Sequence, residues 1–166
     1  MANLKIDGML LEATIAGTLQ GLEMTGMEPV PVGATRFFST RQPIAVMVGL
    51  VGKASGNVTL NVSERAMLRL SGALMGEELS EPNDDTFDAI MEIGNIVAGG
   101  IKEKLYGSDY EVDRISVPSL VLGASYEVHY TRGIEIVSVE FELETIPIVY
   151  HRDRFFSSTL SLQTQG

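Results

Sequence analysis

Residues 88–100 read "DAIMEIGNIVAGG", Asp88 to Gly100, and the fold turns on how this stretch is understood. At about 100° per residue, Phe87, Ile90, Gly94, Val97, Ile101 and Leu105 gather on one side. Asp88, Glu92, Asn95 and Gly99 form a stripe about 60° wide on the other. The spacing predicts an amphipathic helix from about Thr86 to Tyr106, stopped by Gly107. Propensity does not explain its composition, since each glycine costs a helix about 1 kcal/mol relative to alanine and asparagine is a weak helix former. Gly94, on the inner face, fits close packing of the helix backbone on a sheet. Gly99, one turn past Asn95 on the outer stripe, would let another surface come close.

Working outward, residues 4–24 carry apolar residues at helical spacing, and Gly26, Pro29 and Pro31 end that helix in "TGMEPVPVGATRFF", which reads as irregular or edge-strand structure. "PIAVMVGLVG" is an unbroken apolar run of strand length, and "NVTLNV" alternates, so the two form a hairpin with "KASG" as its turn. "SERAMLRLSGALMG" predicts a helix capped by Ser63 and ended by Gly76. After the central helix, "ASYEVHYTRGIEIVSVEFELE" predicts two strands around a turn at Arg132-Gly133, with a bulge near Ile136 where the alternation changes phase. "FFSSTLSL" supplies a last strand. The fold class is α+β: two loosely repeated helix–hairpin halves, about 1–80 and 81–166, share one mostly antiparallel sheet with helices packed on one side. A chain of 166 residues, 45% hydrophobic, fits one domain, 1–166.

The net charge of −10 and the lack of a Lys/Arg cluster argue against nucleic acid and anionic membrane as partners. Lys5, Asp7, Glu12 and Gln20 interrupt the N-terminal apolar run, which neither a signal peptide nor a membrane span would tolerate. The absence of cysteine removes thiolate and disulfide chemistry and suits a reducing cytoplasm.

Glutamate and asparagine on the solvated side of a helix are ordinary when taken alone. With Asp85 as N-cap, Asp88 at the third helical position would serve a variant capping box. A fourth residue changes the weighing. Pro118 completes Asp88-x3-Glu92-x2-Asn95-x22-Pro118, which resembles the [Asp/Ser]-x3-Glu-x2-Asn-x22-Pro signature of the CheC, CheX and FliY chemotaxis phosphatases. Members of CheC type carry the Glu-x2-Asn pair in both halves. Here the first helix has Glu12-x2-Ile15 and Glu23-x2-Gly26, so one site is present and the likeness is to the CheX branch.

The resemblance implies a phosphatase acting on the aspartyl phosphate of a response regulator, typically CheY. An aspartyl phosphate is already a labile mixed anhydride, so the catalyst mainly places a water in line with phosphorus and stabilises spreading charge. An amide can donate to one group, accept from water and stay neutral beside a phosphoryl group, which suits Asn95 to the positioning role. The family implies that Glu92 pairs with the lysine of the receiver's active site. Asp88 and Gly99 would support the pair, and Pro118 would be scaffold at a strand edge or turn. No metal or cofactor is expected on this chain, the Mg²⁺ being the regulator's own. The resemblance also implies a homodimer paired through its sheets, with the tail strand of "FFSSTLSLQTQG" as an exposed edge or an exchanged element.

A rival of another class has the same expected fold. It is a non-catalytic response-regulator-binding or flagellar-switch module similar to the middle domain of FliM, which lacks the Glu-x2-Asn pair. The 166 residues leave no room for its docking peptide or switch domain. "GLVGKAS" fails as a phosphate loop, since Ala54 stands where Ser or Thr is needed, and "HRDRFF" fails as a kinase catalytic loop. His129 and His151 lie apart in strand-like segments, and the eight methionines are scattered as core filler.

Overall fold

The computed structural model describes residues 5–38, 42–123 and 126–166. Helix α1 (Gly8–Leu22) begins where the Asp7 carboxylate accepts the Leu10 N–H at 3.0 Å and passes into a 3₁₀ turn closed by Gly26. Strands β1 (Val30–Thr35), β2 (Ile44–Gly52) and β3 (Ala54–Val62) follow. Helix α2 (Glu64–Met75) is capped by Ser63 and ended by Gly76 at φ 75°, a conformation that favours glycine. Helix α3 (Asp84–Lys104) leads to β4 (Val112–Ile115), β5 (Ser119–Leu122), β6 (Glu135–Glu142), a 3₁₀ segment (Ile148–Arg154) and β7 (Phe155–Thr164). The seven strands form one sheet in the order β1-β6-β7-β3-β2-β4, with β5 continuing along the β2 edge. Every pairing is antiparallel.

Period-2 alternation sends Val46, Val48 and Leu50 of β2, Val58, Leu60 and Val62 of β3, Val137, Val139 and Phe141 of β6, and Leu160 and Leu162 of β7 into one core with Leu10, Met67, Ile90, Val97 and Ile101 of the helices. Each such side chain contributes roughly 1.5–3 kcal/mol by leaving water. Phe141 stacks on Phe156 at a centroid distance of 5.3 Å. The centre of the opposite sheet face is also buried but polar: Thr59, Asn61, Thr159 and Ser161 are almost fully covered. Asn61 there donates to the Tyr126 hydroxyl at 2.8 Å, and desolvation pushes the Tyr126 and Tyr130 hydroxyls above the usual phenolic pKa.

Helices α1 and α3 meet backbone to backbone. A Cβ on Gly17 would stand 2.5 Å from the Ile101 backbone nitrogen, one on Gly21 2.7 Å from Val97 Cγ2, and one on Gly100 2.8 Å from the Gly17 carbonyl oxygen. Contacts this tight admit no side chain, so the third glycine of the opening stretch belongs to this seam.

Four expectations are corrected. The "KASG" turn shrinks, because β3 already begins at Ala54, where pairing of Ala54 with Thr164 and Ser55 with Gln163 on β7 extends the strand. Residues 126–131 form no strand: β6 has β1 on one side and β7 on the other, which leaves no edge for a hairpin partner. Ala124 and Ser125, the start of that expected strand, lie outside the described residues, as does Leu4 of the first helix. No bulge occurs at Ile136, since the β6–β7 register runs unbroken from Glu135–Leu162 to Glu142–Phe155; the irregularity lies in β1, between Pro31 and Gly33. The tail strand is not an edge either. As β7 it pairs on both sides, with β3 and β6, because its apolar alternation faces the core.

Candidate functional site

Helix α3 starts two residues before its expected position, on Asn83. The Asn83 side chain accepts the Thr86 N–H at 2.9 Å, and Thr86 Oγ1 accepts the Asn83 N–H at 2.8 Å, a reciprocal capping box. Asp85 is therefore inside the first turn, and Asp88 lies past the third helical position, so it has no part in the cap. Asp84 and Asp85 still favour the positive end of the helix, and Lys102 and Lys104 the negative end.

The sheet fixes the helix's rotation. A Cβ on Gly94 would stand 2.5 Å from Val46 Cγ1, so the backbone of α3 lies directly on β2 there. Ile93, Val97 and Ile101 are fully buried. With these positions facing inward, helical geometry turns Asp88, Glu92, Asn95 and Gly99 outward. Asp88 and Glu92 are exposed, and Asn95 and Gly99 half-buried. Among the described residues, no hydrogen bond or ion pair engages the side chains of Asp88, Glu92 or Asn95. Glu92 and Asn95 are three residues apart, which places their Cβ atoms about 5–6 Å from each other. A Cβ on Gly99 would meet nothing within 4 Å, so internal packing does not require that glycine.

Pro118 is not on the stripe. It stands between β4 and β5, on the sheet edge beside α3. Leu50 pairs with Ile115 and Met47 with Ser119, so Val117 and Pro118 together oppose Val48 as a bulge. On an edge strand a proline forfeits no ladder hydrogen bond. Ser116 stitches the break: its N–H donates to the Gly49 carbonyl at 2.9 Å, and its hydroxyl oxygen accepts the Gly49 N–H at 2.8 Å. Ser116 and Val117 carry no motif of their own in the sequence; the feature that marks them is Pro118, which forbids a regular strand there.

A cavity of about 1100 Å³ beside α2 is lined by Ser63, Arg65, Leu68, Arg69, Leu79 and Asp153, and a smaller one of about 230 Å³ lies beside Asp7 and Tyr110; neither includes a stripe residue. A small-molecule site is normally concave. A half-buried amide and an exposed carboxylate on the outer face of a helix seated on its sheet instead suit insertion into a cleft on another macromolecule. Among the described residues no three His, Asp or Glu side chains are grouped so as to hold a metal, and no helix is long and apolar enough to cross a membrane.

Comparison with known proteins bears on this geometry. The family model for chemotaxis phosphatase CheX matches residues 44–142, which include α3 and the β4–β5 edge. A curated relative, the CheY-P phosphatase CheX of Thermotoga maritima, is 25% identical over 165 residues, covering 97% of this chain and all of the relative. A solved chemotaxis protein from Desulfovibrio vulgaris Hildenborough superposes with a TM-score of 0.79 at 19% identity, over 96% of this chain and 100% of the other. The CheX of a CheX–CheY–BeF₃–Mg²⁺ complex from Borrelia burgdorferi gives 0.73 at 20% identity, over 96% and 99%. At such identities the superpositions speak for the fold.

Proposed function

Because the chain belongs to the chemotaxis phosphatase CheX family, we propose that it removes the phosphoryl group from the aspartyl phosphate of a CheY-like response regulator, with Asn95 positioning the attacking water and Glu92 anchoring the partner. The observation that carries this reading is that Glu92 and Asn95 stand side by side on the outer face of a helix locked to its sheet, with no hydrogen-bond or ion-pair partner among the described residues. A group left unpaired at the surface of a fixed helix is available to a second molecule. A relative named for CheY-P hydrolysis and a fold neighbour crystallised with CheY and BeF₃ agree with it.

In this reading α3 enters the phosphorylated pocket side-on. The Asn95 amide accepts a hydrogen bond from the water and aligns its oxygen behind phosphorus, opposite the aspartyl oxygen. The water oxygen bonds to phosphorus, the bond from phosphorus to the aspartyl oxygen breaks, the carboxylate leaves with that electron pair, and inorganic phosphate departs carrying the water's proton or releasing it to solvent. Glu92, beside Asn95, pairs with a cation of the receiver and sets the register. Mg²⁺ held by the regulator's own acids supplies charge neutralisation at the phosphoryl oxygens. Asp88 borders the pair, Gly99 clears the approach and Pro118 shapes the adjoining edge. The working assembly is a homodimer in the cytoplasm.

The test is phosphate release from receivers labelled with acetyl phosphate, CheY among them. Release accelerated well above the receiver's own rate supports the reading. Binding without acceleration would assign the chain to the non-catalytic, flagellar-switch type of module instead.

A further inference from the structure

We propose that Val117 is a specificity-determining contact for the phosphorylated receiver, an apolar foothold that docks on the rim of the receiver's phosphoacceptor pocket while Asn95 enters it. This rests on the phosphatase reading above.

Val117 is 84% exposed, the highest value among the large hydrophobic residues described as exposed. An isolated exposed valine needs no explanation. This one is held out by a built device: the bulge opposite Val48, stitched at Ser116 to Gly49 by two hydrogen bonds, with the Ser116 hydroxyl also donating to the Val117 carbonyl at 2.9 Å. Gly49 makes room for it, since a Cβ there would stand 3.0 Å from Ser116 Oγ.

The register locates Val117 against α3. Gly94 sits on Val46, and the chain leaving α3 re-enters the sheet at Val112, opposite Gly52. The helix therefore travels along β2 from Val46 towards Gly52. From Val46 to Val48 is about 7 Å of strand, the length of four to five helical residues at about 1.5 Å each. That places the bulge beside Ala98 and Gly99, one turn past Asn95. Gly99 offers open space and Val117 offers methyl groups at the same level.

Along the outer surface the character changes. Asp84, Asp85, Asp88 and Glu92 make the N-terminal part acidic, whereas Gly99 and Val117 form a small, apolar step beyond Asn95, before the charges of Lys102, Glu103 and Lys104 in the last turn. An ionic anchor, a polar catalyst and an apolar contact in a row fit the usual interface division between desolvated and polar zones. A receiver whose pocket rim is apolar would satisfy all three; one with a charged rim would strand that charge against Val117.

The experiment measures steady-state dephosphorylation of an acetyl-phosphate-labelled CheY and several other receivers by the wild type, Val117→Asp, Val117→Ala and the control Ile148→Asp. Ile148 is 72% exposed on the 3₁₀ segment that packs on α2 and β7, away from α3. Val117→Asp should raise KM about tenfold or more, leave kcat within about twofold, and change the ranking of receivers; Val117→Ala should raise KM about threefold. Thermal unfolding of both variants should match the wild type. An unchanged KM in Val117→Asp, or a fall in kcat alone, overturns the proposal. A shift from dimer to monomer in sedimentation with KM unchanged would assign Val117 to a second copy of this chain and overturn it equally. A wild type inactive on every receiver would instead bring down the phosphatase reading, a different result from an active enzyme indifferent to Val117.

Discussion

Replacing Asn95 by alanine separates chemistry from stability with unusual clarity. The Asn95 side chain makes no hydrogen bond among the described residues and lies on the outer stripe, so its removal strands no buried partner. Alanine is the better helix former by roughly 0.5 kcal/mol, which offsets the packing lost when a half-buried side chain is shortened. Asn95→Ala should therefore unfold at an equal or slightly higher temperature than the wild type. Turnover should fall about 10²-fold, equivalent to about 2.7 kcal/mol of lost transition-state stabilisation at 1.36 kcal/mol per tenfold. The loss should sit in kcat, with KM little altered, since the water and not the receiver is what the amide holds. Asn95→Gln sharpens the test: it keeps the amide but moves it about 1.5 Å, and a misplacement of that order costs about as much as deletion. Phosphate release and a thermal melt on the same preparations suffice. Native turnover in Asn95→Ala would refute the positioning role. Inactivity accompanied by a lowered melting temperature would refute the premise that the residue carries no structure.

The other expectations are simpler. Glu92→Ala should raise KM for the phosphorylated receiver as well as slow turnover, and the wild type's advantage should shrink with added salt if the contact is an ion pair; Asp88→Ala should cost less than Asn95→Ala, and a larger catalytic loss there would reverse the assignment. Gly99→Lys should fold normally, since a Cβ there meets nothing within 4 Å, yet lose most activity by blocking approach; native rates would remove this helix face from the docking surface. Isothermal titration of the chain alone with Mg²⁺ at millimolar concentration should show no binding, while dephosphorylation should stop when EDTA is added; heat of binding to the isolated chain would locate a metal site here. Sedimentation at tens of micromolar should give a dimer, and a monomer would remove the assembly without touching Asn95.

What the sequence disclosed followed from local physics. The 3.6-residue period of α3 exposed its inner and outer faces, and Ser63 and Gly76 marked α2 because caps are chemistry between near neighbours. The same locality explains the failures. Whether "ASYEVHY" pairs with the next strand depends on who else claims β6, and its neighbours β1 and β7 lie about a hundred residues and some twenty residues away in the chain. The turn at "KASG" was tightened by a strand from the far end of the sequence. For the site, Glu92 and Asn95 were readable by spacing, and their lack of partners needed coordinates. Val117 was hidden because an exposed valine beside a proline looks like noise until the register shows a bulge.

The glycines of α3 are best understood through what they immobilise. Gly94, Gly99 and Gly100 together cost the helix about 3 kcal/mol of intrinsic propensity relative to alanine. Gly94 and Gly100 offset their share by bringing the backbone onto β2 and α1, where Ile90, Ile93, Val97 and Ile101 are wholly buried, each contributing roughly 1.5–3 kcal/mol. The two contacts lie about 120° apart around the helix, counted at about 100° per residue over six residues, so they fix both its height and its rotation. Rotation is what a positioning catalyst needs, because a turn of α3 by a few tens of degrees would carry the Asn95 amide several ångströms from any line through the phosphorus. Gly99 lies outside this clamp and has no packing return, which leaves its cost to be justified on the outer surface, where a partner must pass.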